Sequence, residues 1–427
     1  MRRDQLGRRA LLATGAATIA ARHSLAQPAG KPRMTVISQW SSGSSGAAMV
    51  ALGKEFERQG GAWEHDPVPG FTTEMMNKLR AQIIAGDPPA ASQLKGPEIA
   101  AWSKIAPVVD LDTMVKEAGY EAVVPAELAR LSKPGGHWIA LPVQAYRINT
   151  LFISKKAADH VGVTKLPANW AEFNAIAEKM KAAGITPMAN GGIKWDDGMK
   201  WEIALCGISL EAFRKALMEL DDKTLRGPEI LAAFRQCRKL ADWSDSGVAS
   251  QDYTTFVPRF MKGEMGMLLM GDWAAGIYKR GGFQTSDYIV GPAPSDDGKI
   301  AFDLNSDEFI FWNKPQPEFK EGQTLLASIV MSRDLGRLFC QVTGSIPVRT
   351  DTDLSAAGFN DQQREASRSM GEAARANRVV LSLAHNMAQT NQITAAMIDV
   401  LTEFVHDSRV SPEEGQQRLV AAVDNVR

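Results

Sequence analysis

Apolar positions along the chain fall into short strand-length runs closed by glycine or small polar residues, alternating with longer stretches at helical spacing. The first run, Met34-Thr35-Val36-Ile37-Ser38, reads as a strand ending at Gln39-Trp40-Ser41-Ser42-Gly43-Ser44-Ser45. Met49, Leu52 and Phe56 then share one face of a helix stopped by Gly60-Gly61. Thr73 is placed to cap a second helix, with Met76, Leu79 and Ile83 inward and Gly86-Asp87-Pro88-Pro89 as its breaker. Leu94-Lys95-Gly96-Pro97 turns into another helix. Three runs look extended and able to cross between lobes: 138–153, 302–312 and the shorter 344–349. Asn169 and Glu172 predict a capping box for a helix carrying Phe173, Ile176 and Met180. Residues 189–197 read as a polar loop bearing Trp195, 199–245 as mostly helical, and 288–291 as a short strand. The remainder reads as helical, interrupted at Leu383-Ala384-His385-Asn386-Met387.

The most informative segment is the apolar run 265–270 followed by Gly271-Asp272-Trp273. In open α/β sheets ligands collect at the carboxyl ends of strands. Gly271 permits a turn there, and Asp272 can cap the next helix or accept a ligand hydroxyl. Trp273 sets a flat apolar face beside that acid, a pairing suited to a sugar or polyol, whose C–H faces are apolar and whose edges carry hydroxyls. A core tryptophan after a buried strand fits the same residues. Trp40, with Ser41 and Ser42, repeats the arrangement at the end of the first strand.

The 427 residues, 44% hydrophobic, suffice for two lobes, each with its own core. A net charge of -1 without a basic stripe argues against nucleic acid. Ten tryptophans against five tyrosines favour aromatic platforms. Residues 1–26 read as a twin-arginine export signal: Arg8-Arg9-Ala10-Leu11-Leu12 opens a small-residue run to Ala21, and Ser24-Leu25-Ala26 offers a cleavage site. No cysteine stands at the cut to carry a lipid, and no later run approaches the ~20 apolar residues of a membrane helix. The expected location is therefore the periplasm. Cys206, Cys237 and Cys340 form no disulfide framework or zinc pattern, leaving either a Cys206–Cys237 bridge or three buried thiols.

The six histidines show no metal-spaced pair, and GxSxG, HExxH, phosphate-loop and dinucleotide signatures are lacking, so neither metal nor cofactor is expected. Asp196-Asp197 and Asp307-Glu308 offer carboxylates, though adjacent acids usually sit solvated in loops.

Taken in order, several segments resemble the extracellular sugar-binding proteins of bacterial ABC importers, and within these the glucose/mannose-type subgroup. They are Val36-Ile37-Ser38-Gln39-Trp40-Ser41-Ser42-Gly43, Lys95-Gly96-Pro97, Met270-Gly271-Asp272-Trp273-Ala274, Gly344-Ser345-Ile346-Pro347-Val348-Arg349 and Ala384-His385. The resemblance implies a type II periplasmic binding protein fold of two α/β lobes, 33–144 plus 309–345 and 145–308 plus 346–427, closing on a ligand. It implies that Trp40 and Trp273 stack on a sugar while Lys95, Asp307 and His385 bond its hydroxyls. Ser41, Ser42, Tyr146, Trp195, Asp272, Asn305 and Thr343 complete the expected lining. The expected partners are a sugar or polyol and the permease subunits, and the expected state is a monomer. The chain also departs from the subgroup: Gln39 stands for a second aromatic, Ser45 for an acid, Tyr146 and Asn190 for histidines and Thr343 for a lysine. These departures put glucose itself in doubt. The alternative is a periplasmic carbohydrate-active enzyme built on carboxylates such as Asp272 and Asp307.

Overall fold

A computed structural model describes residues 30–69, 72–245, 247 and 250–427, so the expected export signal lies outside the described residues. Among the described residues, ten strands build two sheets. In chain order they are β1 (Arg33–Ser38), β2 (Ala62–Pro67), β3 (Ala91–Leu94), β4 (Ala140–Arg147), β5 (Thr150–Ser154), β6 (Thr186–Met188), β7 (Met265–Met270), β8 (Tyr288–Pro292), β9 (Phe302–Phe311) and β10 (Val379–Leu381).

The first sheet runs β10-β9-β3-β1-β2, with β4 paired to β9 off that path; the second runs β6-β7-β5-β8. β1 is parallel to β2 and β3, as strand–helix–strand connections demand, and β9 is antiparallel to β3 and β4. Each sheet carries its own apolar cluster. Val36, Met49, Leu52, Phe56, Leu141 and Phe309 belong to the first, and Phe152, Phe173, Met180, Met267 and Tyr278 to the second. A third cluster joins Trp201, Phe234, Phe404 and Leu419 among the helices. The result is a two-lobe α/β molecule.

The three extended runs lie side by side. β4 and β9 pair from Ala140↔Ile310 to Arg147↔Leu304, with a register shift between Pro142 and Gln144, and Ala145 bridges to Ile346. The first run is not continuous to Ile153, however. It breaks at Ile148-Asn149, where buried Asn149 donates to the Ala301 carbonyl and accepts from the Asp303 N–H. β4 and β5 therefore enter different sheets.

Other expectations change in detail. Residue Thr73 falls inside the helix Thr72–Ile84 instead of capping it. Asn169 does accept from the Glu172 N–H at 2.9 Å, but the Glu172 carboxylate accepts from Ala168, one residue outside the reciprocal box. The polar loop at 189–197 is shorter than expected, because the helix Lys194–Ile208 begins within it. Asp196 and Asp197 sit in that helix's first turn and are fully buried rather than solvated. Lys200 one turn on lies 3.1 Å from Asp196, and His406 lies 2.9 Å from Asp197. All three cysteines are buried free thiols.

Candidate functional site

Two groups of side chains converge where β3, β4 and β9 meet the turn after β7. The polar group starts at Lys95, immediately after β3. Gly96 has φ 56°, and a Cβ there would lie 2.2 Å from the Asn386 carbonyl oxygen, so the backbone approach excludes a side chain. Lys95 Nζ lies 3.2 Å from Asp307 Oδ1 and 3.5 Å from Asn305 Oδ1. Asn305 and Asp307 alternate along β9 and so share one face. The amides of Gln93 and Gln144 donate to the two Asp307 oxygens at 2.8 and 3.3 Å. Gln144 in turn accepts from Ser345 Oγ at 2.9 Å, and Ser345 Oγ lies 2.6 Å from Thr343 Oγ1. Lys95, Asn305, Asp307 and Thr343 are therefore members of one network. Glu308, on the opposite face of β9, bonds Ser132, and burial pushes its carboxyl up to about 8.

The aromatic group starts at Trp273. Its ring folds back over Gly271, where a Cβ would lie 1.9 Å from it; this contact explains the glycine. Trp273 meets Tyr146 edge-on with ring centres 5.5 Å apart, His385 at 5.3 Å and Trp195 at 6.1 Å. Trp195 and His385 are themselves 5.7 Å apart. Tyr146, Trp195, Trp273 and His385 thus form one cluster drawn from four separate segments.

Its fourth member is held from behind. Glu202, buried on the helix Lys194–Ile208, accepts from Ser382 Oγ and from the backbone N–H groups of Leu383 and Ala384. Ser382 Oγ also lies 2.9 Å from His385 Nδ1. Burial, then the nearby Lys95 charge, holds His385 well below its ordinary pKa, so the ring is neutral at physiological pH. Burial lifts Glu202 to about 7.

The remaining expected residues lie elsewhere. Asp272 is fully buried and turned onto the end of β4: its Oδ2 accepts from Arg147 N, and its own N–H donates to Arg147 O, both at 3.1 Å. Burial raises its carboxyl to about 7. Trp40 is 7% exposed and packs on Phe309 and Phe339, with ring centres at 5.9 and 5.3 Å. Ser41 and Ser42 are exposed before the helix Gly43–Arg58. Sequence reasoning missed Gln93, Gln144 and Glu202. The first two carried a legible signal as long polar residues on buried strands; Glu202 carried none, since its partners are some 180 residues away. Among the described residues, one group has metal-ligand spacing, Asp110, Asp112 and His137; its two outer members are exposed and none belongs to the network above.

An ammonium, a carboxylate and amides in one network lie beside rings in the other, groups able to bond hydroxyls and to cover C–H faces. A family model for bacterial extracellular solute-binding proteins matches residues 51–366. A "probable sugar-binding periplasmic protein" of Brucella suis biovar 1 (strain 1330) is 33% identical over 396 residues, 92% of each chain. One of the same description from Rhizobium meliloti (strain 1021) is 33% identical over 394 residues, 91% of this chain and 93% of its own. Among solved structures, a chitin oligosaccharide binding protein superposes with a TM-score of 0.76 at 17% identity, covering 92% of this chain and 98% of its own. That last likeness speaks to the fold, and the fold agrees with the type II binding-protein plan. With the family match spanning most of its length, the chain belongs to the bacterial extracellular solute-binding proteins.

Proposed function

We propose that the protein captures a sugar or polyol between its lobes and hands it to the permease of an ABC importer. The observation that carries this reading is the Lys95–Asn305–Asp307 network set beside the Trp273–Trp195–His385 rings. Charged and amide groups bond hydroxyls, and the rings cover C–H faces. The relatives named as sugar-binding periplasmic proteins support the same ligand class. The family is one of binding proteins, not enzymes.

Finer parts of the reading rest on the sequence. Residues 1–26 serve as a twin-arginine export signal, and the mature chain acts in the periplasm as a monomer. The lobes divide as 33–144 plus 309–345 and 145–308 plus 346–427. Tyr146 and Thr343 join the network and rings as the lining, whereas Trp40, Ser41, Ser42 and Asp272 lie outside both groups. The chain sits nearest the glucose/mannose-type subgroup, but with Thr343, Ser45, Tyr146 and Asn190 in place of charged or imidazole side chains its ligand is a sugar or polyol other than glucose.

A thermal-shift screen over sugars and polyols, followed by calorimetric titration of each hit, tests this. A ligand at 100 times its Kd stabilises the folded state by about 2.7 kcal/mol, which a melting curve resolves. At least one sugar or polyol raises the melting temperature while glucose raises it little. No shift with any of them rejects the ligand class, and tight glucose binding rejects the specificity.

A further inference from the structure

A cavity of about 670 Å³ opens on the far side of the ring cluster. Its size falls within the ~300–1,000 Å³ of small-molecule sites. Trp195, Ala384 and Ile398 supply its apolar wall; Asn386, Asn391 and Thr394 supply its polar wall. Neither Lys95, Asp307 nor Trp273 lines it. It is nevertheless continuous with their surroundings. Trp195 both lines it and touches Trp273 and His385. Asn391 lines both this cavity and the narrow crevice beside Lys95 and Gln93. Glu74, from the helix Thr72–Ile84 packed by the first sheet, closes the cavity across from the helix Asn391–His406, so both lobes contribute.

Three residues of its wall each hold a polar atom, Asn391 Oδ1, Thr394 Oγ1 and Thr402 Oγ1, that is buried without a hydrogen-bond partner among the described residues. Buried groups of this kind call for a reason. A threonine in a helix has two accessible χ1 rotamers, so turning a hydroxyl toward the cavity breaks no existing bond. The two basic side chains of the wall already have acidic partners: Lys194 pairs with Asp399 at 2.7 Å and His406 with Asp197 at 2.9 Å. The wall therefore suits a neutral, hydroxylated ligand and not an anion.

We propose that this cavity is a second sugar subsite, so that the ligand is an oligosaccharide of at least two units, one at the Trp273 rings and the next beyond Trp195. The proposal rests on the sugar-binding reading of the cleft and deepens it. Ala395 is exposed on the cavity wall, which makes Ala395→Trp a block that leaves the core alone. Calorimetric titrations use glucose, galactose, mannose and xylose, and the di- and trisaccharides built from each. At least one oligosaccharide binds about tenfold or more tightly than its own monosaccharide. Ala395→Trp removes that gain but leaves the monosaccharide within about twofold, and Thr394→Val removes part of it. Apo melting curves confirm that both variants fold. Equal affinity for all chain lengths overturns the subsite and leaves the cleft reading intact. So does a gain that survives Ala395→Trp, or loss of monosaccharide binding in that variant, which makes the two sites one. Failure of every sugar, short or long, overturns the cleft reading and the subsite with it.

Discussion

The ammonium of Lys95, which follows β3, lies 3.2 Å from the carboxylate of Asp307 in β9, and both side chains are almost wholly buried. The pair is not isolated, because Gln93 and Gln144 also donate to Asp307. Removing the ammonium therefore leaves a carboxylate that is still hydrogen-bonded. Lys95→Met costs sugar affinity about 1.5–3 kcal/mol, the value of a charged hydrogen bond in a dry site, or roughly 10- to 150-fold. The apo melting temperature falls less than it would for an unpaired buried charge. Calorimetric titration and apo melting read the two effects separately; unchanged affinity removes Lys95 from the ligand site.

Trp273 and Trp40 respond differently to truncation. Trp273 is partly exposed and bounded by rings, whereas Trp40 packs into the first sheet's apolar cluster. Trp273→Ala weakens binding by about thirtyfold or more, because roughly 100 Å² of ring surface no longer covers the ligand. Trp40→Ala costs about 3–5 kcal/mol of stability whether or not ligand is present. Titrations beside apo melting curves distinguish the two. Equal apo destabilisation by both variants makes Trp273 a core residue.

Stability falls as pH rises through neutrality. Glu308 ionises near 4.5 in an unfolded chain but at about 8 in the buried folded site. Between those values the folded protein holds a proton that the unfolded chain has released, so each step up in pH favours unfolding. The slope from this group is at most about 1.4 kcal/mol per pH unit. Asp196, Glu202 and Asp272, raised by burial to about 6, 7 and 7, act in the same direction. Glu308→Gln stays neutral and can still accept from Ser132. Its urea midpoint matches the wild type near pH 4.5 and exceeds it at pH 8. Parallel profiles show that Glu308 is charged in the folded state.

The thiols are silent until the chain unfolds. Burial pushes Cys237 and Cys340 up to about 12 and Cys206 well above its ordinary range, and all three are inaccessible. A thiol reagent with mass detection finds no label on the native protein and three labels in denaturant without a reductant. Fewer than three in denaturant reveals a bridge.

Much of the fold was legible because local patterns and tertiary packing agree. The run before Gly271 is β7, Met49, Leu52 and Phe56 are buried on one helix face, and the three extended runs do lie together. Local reasoning failed where a distant partner decides. Asp196 and Asp197 look like solvated loop acids until Lys200 and His406 close over them. Asn149 breaks an apparently continuous strand because the carbonyl of Ala301 and the amide of Asp303 reach it from 152 and 154 residues away. At the candidate site, Lys95 and Trp273 stood out at turns after apolar runs, while the binding roles of Asp307 and His385 came only from the family resemblance. The cavity beside Trp195 was not, since its walls come from Glu74, the turn at Trp195 and the helix Asn391–His406.

β9 is bound unevenly along its length. Its start, Phe302 to Leu304, is laddered to β10, and its end, Glu308 to Phe311, to β3. Between them, Asn305, Ser306 and Asp307 have only β4 alongside, next to the register shift at Pro142–Gln144. That short span is the less braced part of the strand, so under the proposed closure of the lobes bending would concentrate there. Asn305 and Asp307 would then stand near the fulcrum, where the lever arm is shortest and displacement least. On that reading they would offer a ligand nearly the same anchorage whether the jaws are apart or together.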